Sequence, residues 1–166
     1  MKNCKQSWRN ERYDIYGQIP DFWHDLYNSE YALLDIKLET VERIQAIRRA
    51  AENAGRIFFK TARLLRMLDD ETLMRLGFPR ETLSYTRIKT LEQESVIARI
   101  DFVVNAREIK VMEINSDTPT FIKETFHVNK YLCAHLNYQN SNEGCEEELA
   151  AAIQEAILSE LNRQRG

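Results

Sequence analysis

Residues 96–115, VIARIDFVVNAREIKVMEIN, hold two runs rich in Val, Ile and Phe on either side of a short polar segment. This layout predicts an antiparallel hairpin: SVIARIDFVV going out, a turn at NARE or part of it, and EIKVMEIN coming back. Strand side chains alternate between faces. On the first strand Val96, Ala98, Ile100, Phe102 and Val104 share one face, and Arg99 and Asp101 share the other. On the second strand Glu113 and Asn115 share a face. Opposed residues point to the same side, so the four polar residues converge only if odd positions pair with odd positions. A two-residue turn of Asn105 and Ala106 would pair Val104 with Arg107 and separate the two sets. A three-residue loop or a bulge would unite them. The pattern leaves both registers open.

Around the hairpin the periodicity is helical. Val41, Ile44, Ile47, Ala51, Ala54, Phe58, Leu65 and Leu68 predict a long helix over 40–69, with Thr40 as its N-cap. The arginines between them, Arg43, Arg48, Arg49, Arg56, Arg63 and Arg66, read as a solvated basic face. DDETLMRLG predicts a short helix capped by Asp69 or Asp70 and closed by Gly77 and Pro79. In IPDFWHDLY, Pro20 and Asp21 suit a first helical turn, with Phe22, Trp23, Leu26 and Tyr27 on its apolar side. His24 in that cluster reads as structural. After SDTPT come a helix over FIKETFHVNKYLCAHL, a polar loop, and a last helix over CEEELAAAIQEAILSELNRQ with acids first and arginines last. Its apolar stripe is Leu149, Ile153, Ile157 and Leu161. The expected fold is α+β: a single lobe over 1–166, mainly helical over 1–90, then a β-hairpin packed with helices over 91–166.

A net charge of −3 argues against nucleic acid and anionic membrane as main partners. The opening MKNCKQSWRNERYD lacks the apolar centre of a secretory signal, and no run approaches a membrane span, so a soluble cytoplasmic protein is expected. Cys4, Cys133 and Cys145 are scattered and odd in number, unlike a disulfide framework. Cys133, His135 and Cys145 could supply an incomplete zinc site, but with no CxxC pair, indifferent thiols are the plainer reading.

If the hairpin residues converge, Asp101 and Glu113 become two carboxylates on one face. Two like charges about 4 Å apart repel by on the order of 4 kcal/mol at an effective dielectric near 20. A proton, Arg99 or a divalent cation could offset this. With the Asn115 amide the donors are all oxygen, which suits Mg²⁺ better than Zn²⁺. The planar fork of Arg99 suits a phosphate or a carboxylate. The plainer alternative is a wet sheet face laced by cross-strand ion pairs. In NSDTPT, polar groups before a helix favour an anion. Alternatively Asp117 or Thr118 is simply the N-cap, with Pro119 at the first helical position.

ARIDF, followed after the hairpin by MEINSDTPT, resembles the glutathionylspermidine synthase family. That family's pattern is an Arg-x-Asp-Phe strand and then Glu-x-Asn-x-Asp with small hydroxyl residues following, at similar spacing. IPDFWHDLY and EYALLDI are similar to its N-terminal region, so the likeness covers most of the chain. The resemblance implies a pre-ATP-grasp-like lobe of an ATP-grasp ligase. Such an enzyme phosphorylates a carboxylate with ATP, and an amine then displaces the phosphate to form an amide. The implied substrates are a small peptide carboxylate, such as the glycine end of glutathione, and an amine such as a polyamine. Carried over by position, Asp101, Glu113 and Asn115 hold Mg²⁺. Arg99 stabilises the transferring phosphoryl group and so meets the nucleotide. Ser116, Asp117, Thr118 and Thr120 lie on the substrate side. Family members continue well beyond the helix after NSDTPT, and Lys123, Lys130, Arg163 and Arg165 here lie in no glycine-rich phosphate loop. The expectation is therefore a truncated or split member that lacks most of the ATP-binding region and is inactive alone. A second polypeptide would complete the pocket, or the chain would form a homo-oligomer. A non-catalytic module for a small peptide or carboxylate, or a structural remnant, remains the alternative.

Overall fold

The computed structural model describes residues 2–89 and 94–165, with side chains from Trp8 onward. The expected division near residue 90 and the Cys4 side chain lie outside the described residues. The architecture is α+β, with two separate two-stranded antiparallel sheets among helices. The chain forms two compact units, one of residues 1–39 and 123–143, the other of residues 40–122 and 144–166.

In the first unit, helix α1 (Lys2–Tyr16) precedes a tight pair of strands, β1 (Asp25–Leu26) and β2 (Ser29–Glu30). A π-helical turn, Glu124–Val128, then runs into α5 (Asn129–His135). The expected helix over IPDFWHDLY does not form. Asp21, Tyr27 and Asn28 take φ values of 55°, 53° and 60°, which no helix tolerates. Tyr27 and Asn28 make the turn between Leu26 and Ser29, as positive φ at both central positions of a tight hairpin requires. Trp23 and Tyr27 are exposed rather than on a buried side, while Phe22 joins Ile15, Tyr16, Ile19, Val128 and Leu132 in the core.

Arg12 organises this unit, although it is a charge in an apolar place. It is fully buried. Its Nε donates to the Ala32 carbonyl at 2.6 Å, and its Nη2 donates to the His24 carbonyl and to Asp25 Oδ1, both at 2.6 Å. The Tyr13 hydroxyl donates to the other Asp25 oxygen at 2.7 Å. Helix and hairpin are thus joined through the Ala32 carbonyl, the Asp25 carboxylate and the His24 carbonyl, which also accepts from the Tyr31 and Ala32 N–H groups. That hydroxyl, and then the guanidinium, hold the Asp25 carboxyl below its ordinary value. His24 lies stacked on Tyr16 with Tyr13 edge-on, in keeping with a structural role.

The second unit is built on α2 (Val41–Leu65). Thr40 caps it, accepting from the Arg43 N–H at 3.2 Å. Helix α3 (Asp70–Arg75) is capped by Asp69, which accepts from the Thr72 N–H at 2.8 Å. It ends with Gly77 at φ 96°, where the Phe78 N–H reaches Leu73 O and the Gly77 N–H reaches Met74 O. This is the paired closure that a left-handed glycine permits. A 3₁₀ turn, Arg80–Thr82, and α4 (Leu83–Thr86) follow, then β3 (Arg99–Val104), β4 (Ile109–Asn115) and α6 (Cys145–Arg165).

Two arginines of the supposedly solvated face of α2 are ties. Arg43 Nη2 donates to the Asn105 carbonyl at the hairpin tip at 2.5 Å. Arg66 forks onto Glu94 at the hairpin root, with Nη1 to Oε1 at 2.7 Å, and the Glu94 carboxylate is almost fully buried. The guanidinium holds this carboxyl below its ordinary value against the opposing effect of burial.

Replacing Arg12 with Met should cost about 3 kcal/mol or more, because three charged hydrogen bonds are lost and Asp25 is left without its cation. Urea unfolding followed by circular dichroism measures this. The pH dependence has a defined sign. A carboxyl held low in the folded state adds stability above its unfolded value of about 3.8 and loses it as pH falls through the folded value. Melting temperature should therefore be flat from pH 7 to about 5 and fall below about pH 4. Asp25→Asn should make that acid limb shallower.

Candidate functional site

Near the turn, Val104 pairs with Ile109, Val103 with Lys110, and Phe102 with Val111. Beyond a shift between Phe102 and Asp101, the pairs are Asp101 with Glu113, Ile100 with Ile114, and Arg99 with Asn115. Met112 is the extra residue, unpaired and largely exposed. It is a β-bulge, one residue inserted on one strand. The chain reverses through Asn105–Glu108, where the Asn105 N–H donates to Glu108 O at 3.1 Å. The Asn105 side-chain oxygen accepts from the Arg107 and Glu108 N–H groups at 2.8 and 3.1 Å.

The bulge has a physical cause in the spacing of apolar residues. Ile109 and Val111 are two apart, but Val111 and Ile114 are three apart. On an unbroken strand they could not share a side. With Met112 looped out, Ile114, Val111 and Ile109 all stand opposite Ile100, Phe102 and Val104. The same shift puts Arg99, Asp101, Glu113 and Asn115 together on the other side. Of the two registers left open, the bulged one forms.

Arg99 is the hub. Its Nε donates to Asp101 Oδ1 at 2.9 Å and its Nη2 to Asp101 Oδ2 at 3.2 Å. Nη2 is also 3.7 Å from Glu113 Oε1. Nη1 donates to the Thr120 hydroxyl at 2.6 Å. The Phe121 ring lies over the guanidinium, 5.7 Å from carbon to centroid. The Asp101 hydrogen bonds, and then the fields of Asp101 and Glu113, bind the Arg99 proton more firmly than usual. The side chains of Asp101 and Glu113 are 41% and 59% exposed, so both carboxylates remain open to a ligand.

Of the residues expected on the substrate side, Thr120 joins this group. Ser116, Asp117 and Thr118 are exposed in the bend after β4, and no hydrogen bond links them to Arg99. Neither Asp117 nor Thr118 is a helix cap, and Pro119 is not helical, since the helix starts only at Ile122. Between them the backbone turns at Phe121, whose φ is 70°. Phe121 was not expected to take part. Its position next to Thr120 was the one available signal.

The donor set fits a small hard cation in chemistry. Two carboxylates and one amide oxygen would fill half an octahedral shell and leave positions for water or phosphate oxygens. Against this, both Asp101 oxygens are engaged by Arg99. Among the described residues no group of three His, Cys, Asp or Glu side chains is arranged to hold a metal, so the amide is needed as third donor.

An α+β chain that presents an arginine, two acids and an amide from a bulged hairpin is a candidate for binding a metal or a phosphate. The model of one family, described as glutathionylspermidine synthase preATP-grasp, matches residues 4–165, and the chain belongs to that family. No curated protein and no solved structure matches it. No described helix is long and apolar enough to cross a membrane.

Deleting Met112 should leave Asp101 opposite Glu113 and Phe102 opposite Val111 and make the ladder unbroken, because Ile109, Val111 and Ile114 then alternate regularly along β4. Cross-strand backbone NOEs read this directly. If Asp101 and Glu113 separate in the deletion, the spacing of the apolar residues is not what sets the register.

Proposed function

We propose that this chain supplies the metal-binding and phosphoryl-stabilising part of an ATP-dependent carboxylate–amine ligase related to glutathionylspermidine synthase. The observation that carries the reading is the bulged register, which gives Arg99, Asp101, Glu113 and Asn115 a common side. In the proposed roles, Asp101, Glu113 and Asn115 hold Mg²⁺. Arg99 stabilises the negative charge that spreads over a phosphoryl group in transfer, to which preorganised cations contribute most. Ser116, Asp117, Thr118 and Thr120 line the side from which a small peptide carboxylate would approach, and an amine would then displace the phosphate. Bound Mg²⁺ would supply charge neutralisation and orientation of phosphate oxygens. With five glycines in the whole sequence and none near another in a loop, the nucleotide grip belongs to a separate polypeptide segment.

One observation favours a second reading. Arg99 already takes both Asp101 oxygens, as it would in a plain cross-strand ion-pair network. Titration calorimetry separates the two. On the ligase reading Mg²⁺ binds weakly to the isolated chain, and Asp101→Asn or Glu113→Gln abolishes the heat. Mg-ATP tighter than about 10 µM would contradict a nucleotide grip supplied elsewhere. If Mg²⁺ gives no heat, and Arg99→Ala and Asp101→Asn lower the melting temperature equally, the ion-pair network is the correct account.

A further inference from the structure

Five residues other than glycine have a positive φ among those described: Asp21, Tyr27, Asn28, Phe121 and Asn137. Three of them are Asp or Asn, which tolerate the left-handed region. Tyr27 is explained by the tight turn it forms with Asn28. Phe121, at φ 70°, is left over. A bulky aromatic in this region is an outlier, and an outlier held in place by its surroundings points to a function for the side chain. Core packing does not account for it, because Phe121 is 45% exposed. What the ring does meet is the Arg99 guanidinium, whose carbon lies over the ring. Glycine or asparagine would adopt the same backbone more readily, so the ring itself is what the position offers.

We infer that Phe121 is a positioning residue for Arg99: the strained backbone seats the ring beneath the guanidinium carbon, while the neighbouring Thr120 hydroxyl takes Nη1. Together they hold the plane of the fork at the edge opposite Asp101. A guanidinium fastened only to Asp101 would swing away when that carboxylate turned to another cation. Fastened by a ring and a hydroxyl, Arg99 stays in place, and its Nε and Nη2 edge becomes available to an anion. Attraction between a guanidinium and a ring face at this distance is modest at an exposed site, which suits a pivot better than a lock. The inference rests on the phosphoryl role proposed for Arg99, but its first test does not.

That test is an NMR measurement on the metal-free chain. The Arg99 Nε–H signal, assigned by its loss in Arg99→Lys, should be displaced by the ring current and exchange slowly with water. In Phe121→Leu it should move to an undisplaced position and exchange faster, and Phe121→Trp should restore it. Phe121→Gly removes both ring and strain. It should be no less stable to heat than the wild type and yet give the leucine-like signal, which separates lost positioning from a folding defect. In the second arm, Mg²⁺ and then inorganic phosphate are added. Phosphate affinity in Mg²⁺ should fall by roughly two- to fivefold in Phe121→Leu and recover in Phe121→Trp. An Arg99 signal that is the same in wild type and Phe121→Leu, or one that Trp fails to restore, overturns the inference. If the signal behaves as expected but neither Mg²⁺ nor phosphate binds, the positioning stands and the ligase reading of the site fails. If both bind with equal affinity in wild type and Phe121→Leu, the ligase reading stands and the positioning role falls.

Discussion

The site depends on a single unpaired residue. Side-chain parity along a strand is strict, so a polar cluster and an apolar face can be kept apart only while the alternation holds. In β4 it does not hold, because Ile109 and Val111 keep one parity and Ile114 the other. Met112 resolves the conflict by leaving the ladder. In this register Ile109, Val111 and Ile114 share the side of Ile100, Phe102 and Val104, with the two β4 isoleucines half-buried and Val111 exposed. The grouping of Arg99, Asp101, Glu113 and Asn115 is its geometric consequence. Packing on one face of the hairpin therefore sets the chemistry of the other.

The hairpin is tied to the helix beside it at two places. Arg43, in the first turn of α2, holds the Asn105 carbonyl at the hairpin tip, and Arg66, which caps the end of α2, holds Glu94. The chain bends between Glu94 and β3, and α2 also touches β4. Arginine suits these ties because its fork reaches a carbonyl or a carboxylate while its stem lies along apolar surface. In the other unit Arg12 does a related job from inside the core.

Elements set by local chemistry were legible in the sequence. Thr40, Asp69 and Gly77 stop or start helices through bonds to residues within a few positions, and each lies where the pattern puts it. The α+β class followed from the change of period between the two halves. What escaped was set by distant contacts. Helix α1 was not expected because Arg12 interrupts the apolar stripe of Trp8, Ile15 and Tyr16, and a buried arginine looks like a surface one until its acceptors are known. The aromatics of IPDFWHDLY imitate a helix period, yet left-handed residues at Asp21, Tyr27 and Asn28 bend the segment into a hairpin. The faces of the hairpin were readable, but its register was left open, and the two-then-three spacing of Ile109, Val111 and Ile114 that goes with the bulge was not used. The part of Phe121 was not, because a positive φ at phenylalanine has no composition signal.

Charge balance helps to weigh the ion-pair account of the site. Arg99 contributes one positive charge against one negative each from Asp101 and Glu113, so the group carries a net −1. Lys110, farther along the same face, is engaged by Glu108 at 3.1 Å. The Arg99–Glu113 distance of 3.7 Å is an ion pair without a hydrogen bond, whereas Asp101 has two hydrogen bonds. One carboxylate is therefore well satisfied and the other only partly. A network whose sole task was to stabilise the sheet would gain most from matched charges, since exposed pairs contribute little and an extra acid opposes its neighbour. The surplus acid beside an anchored guanidinium instead leaves the group one positive charge short. A cation could make that up while Arg99 keeps its hold on Thr120 and Phe121.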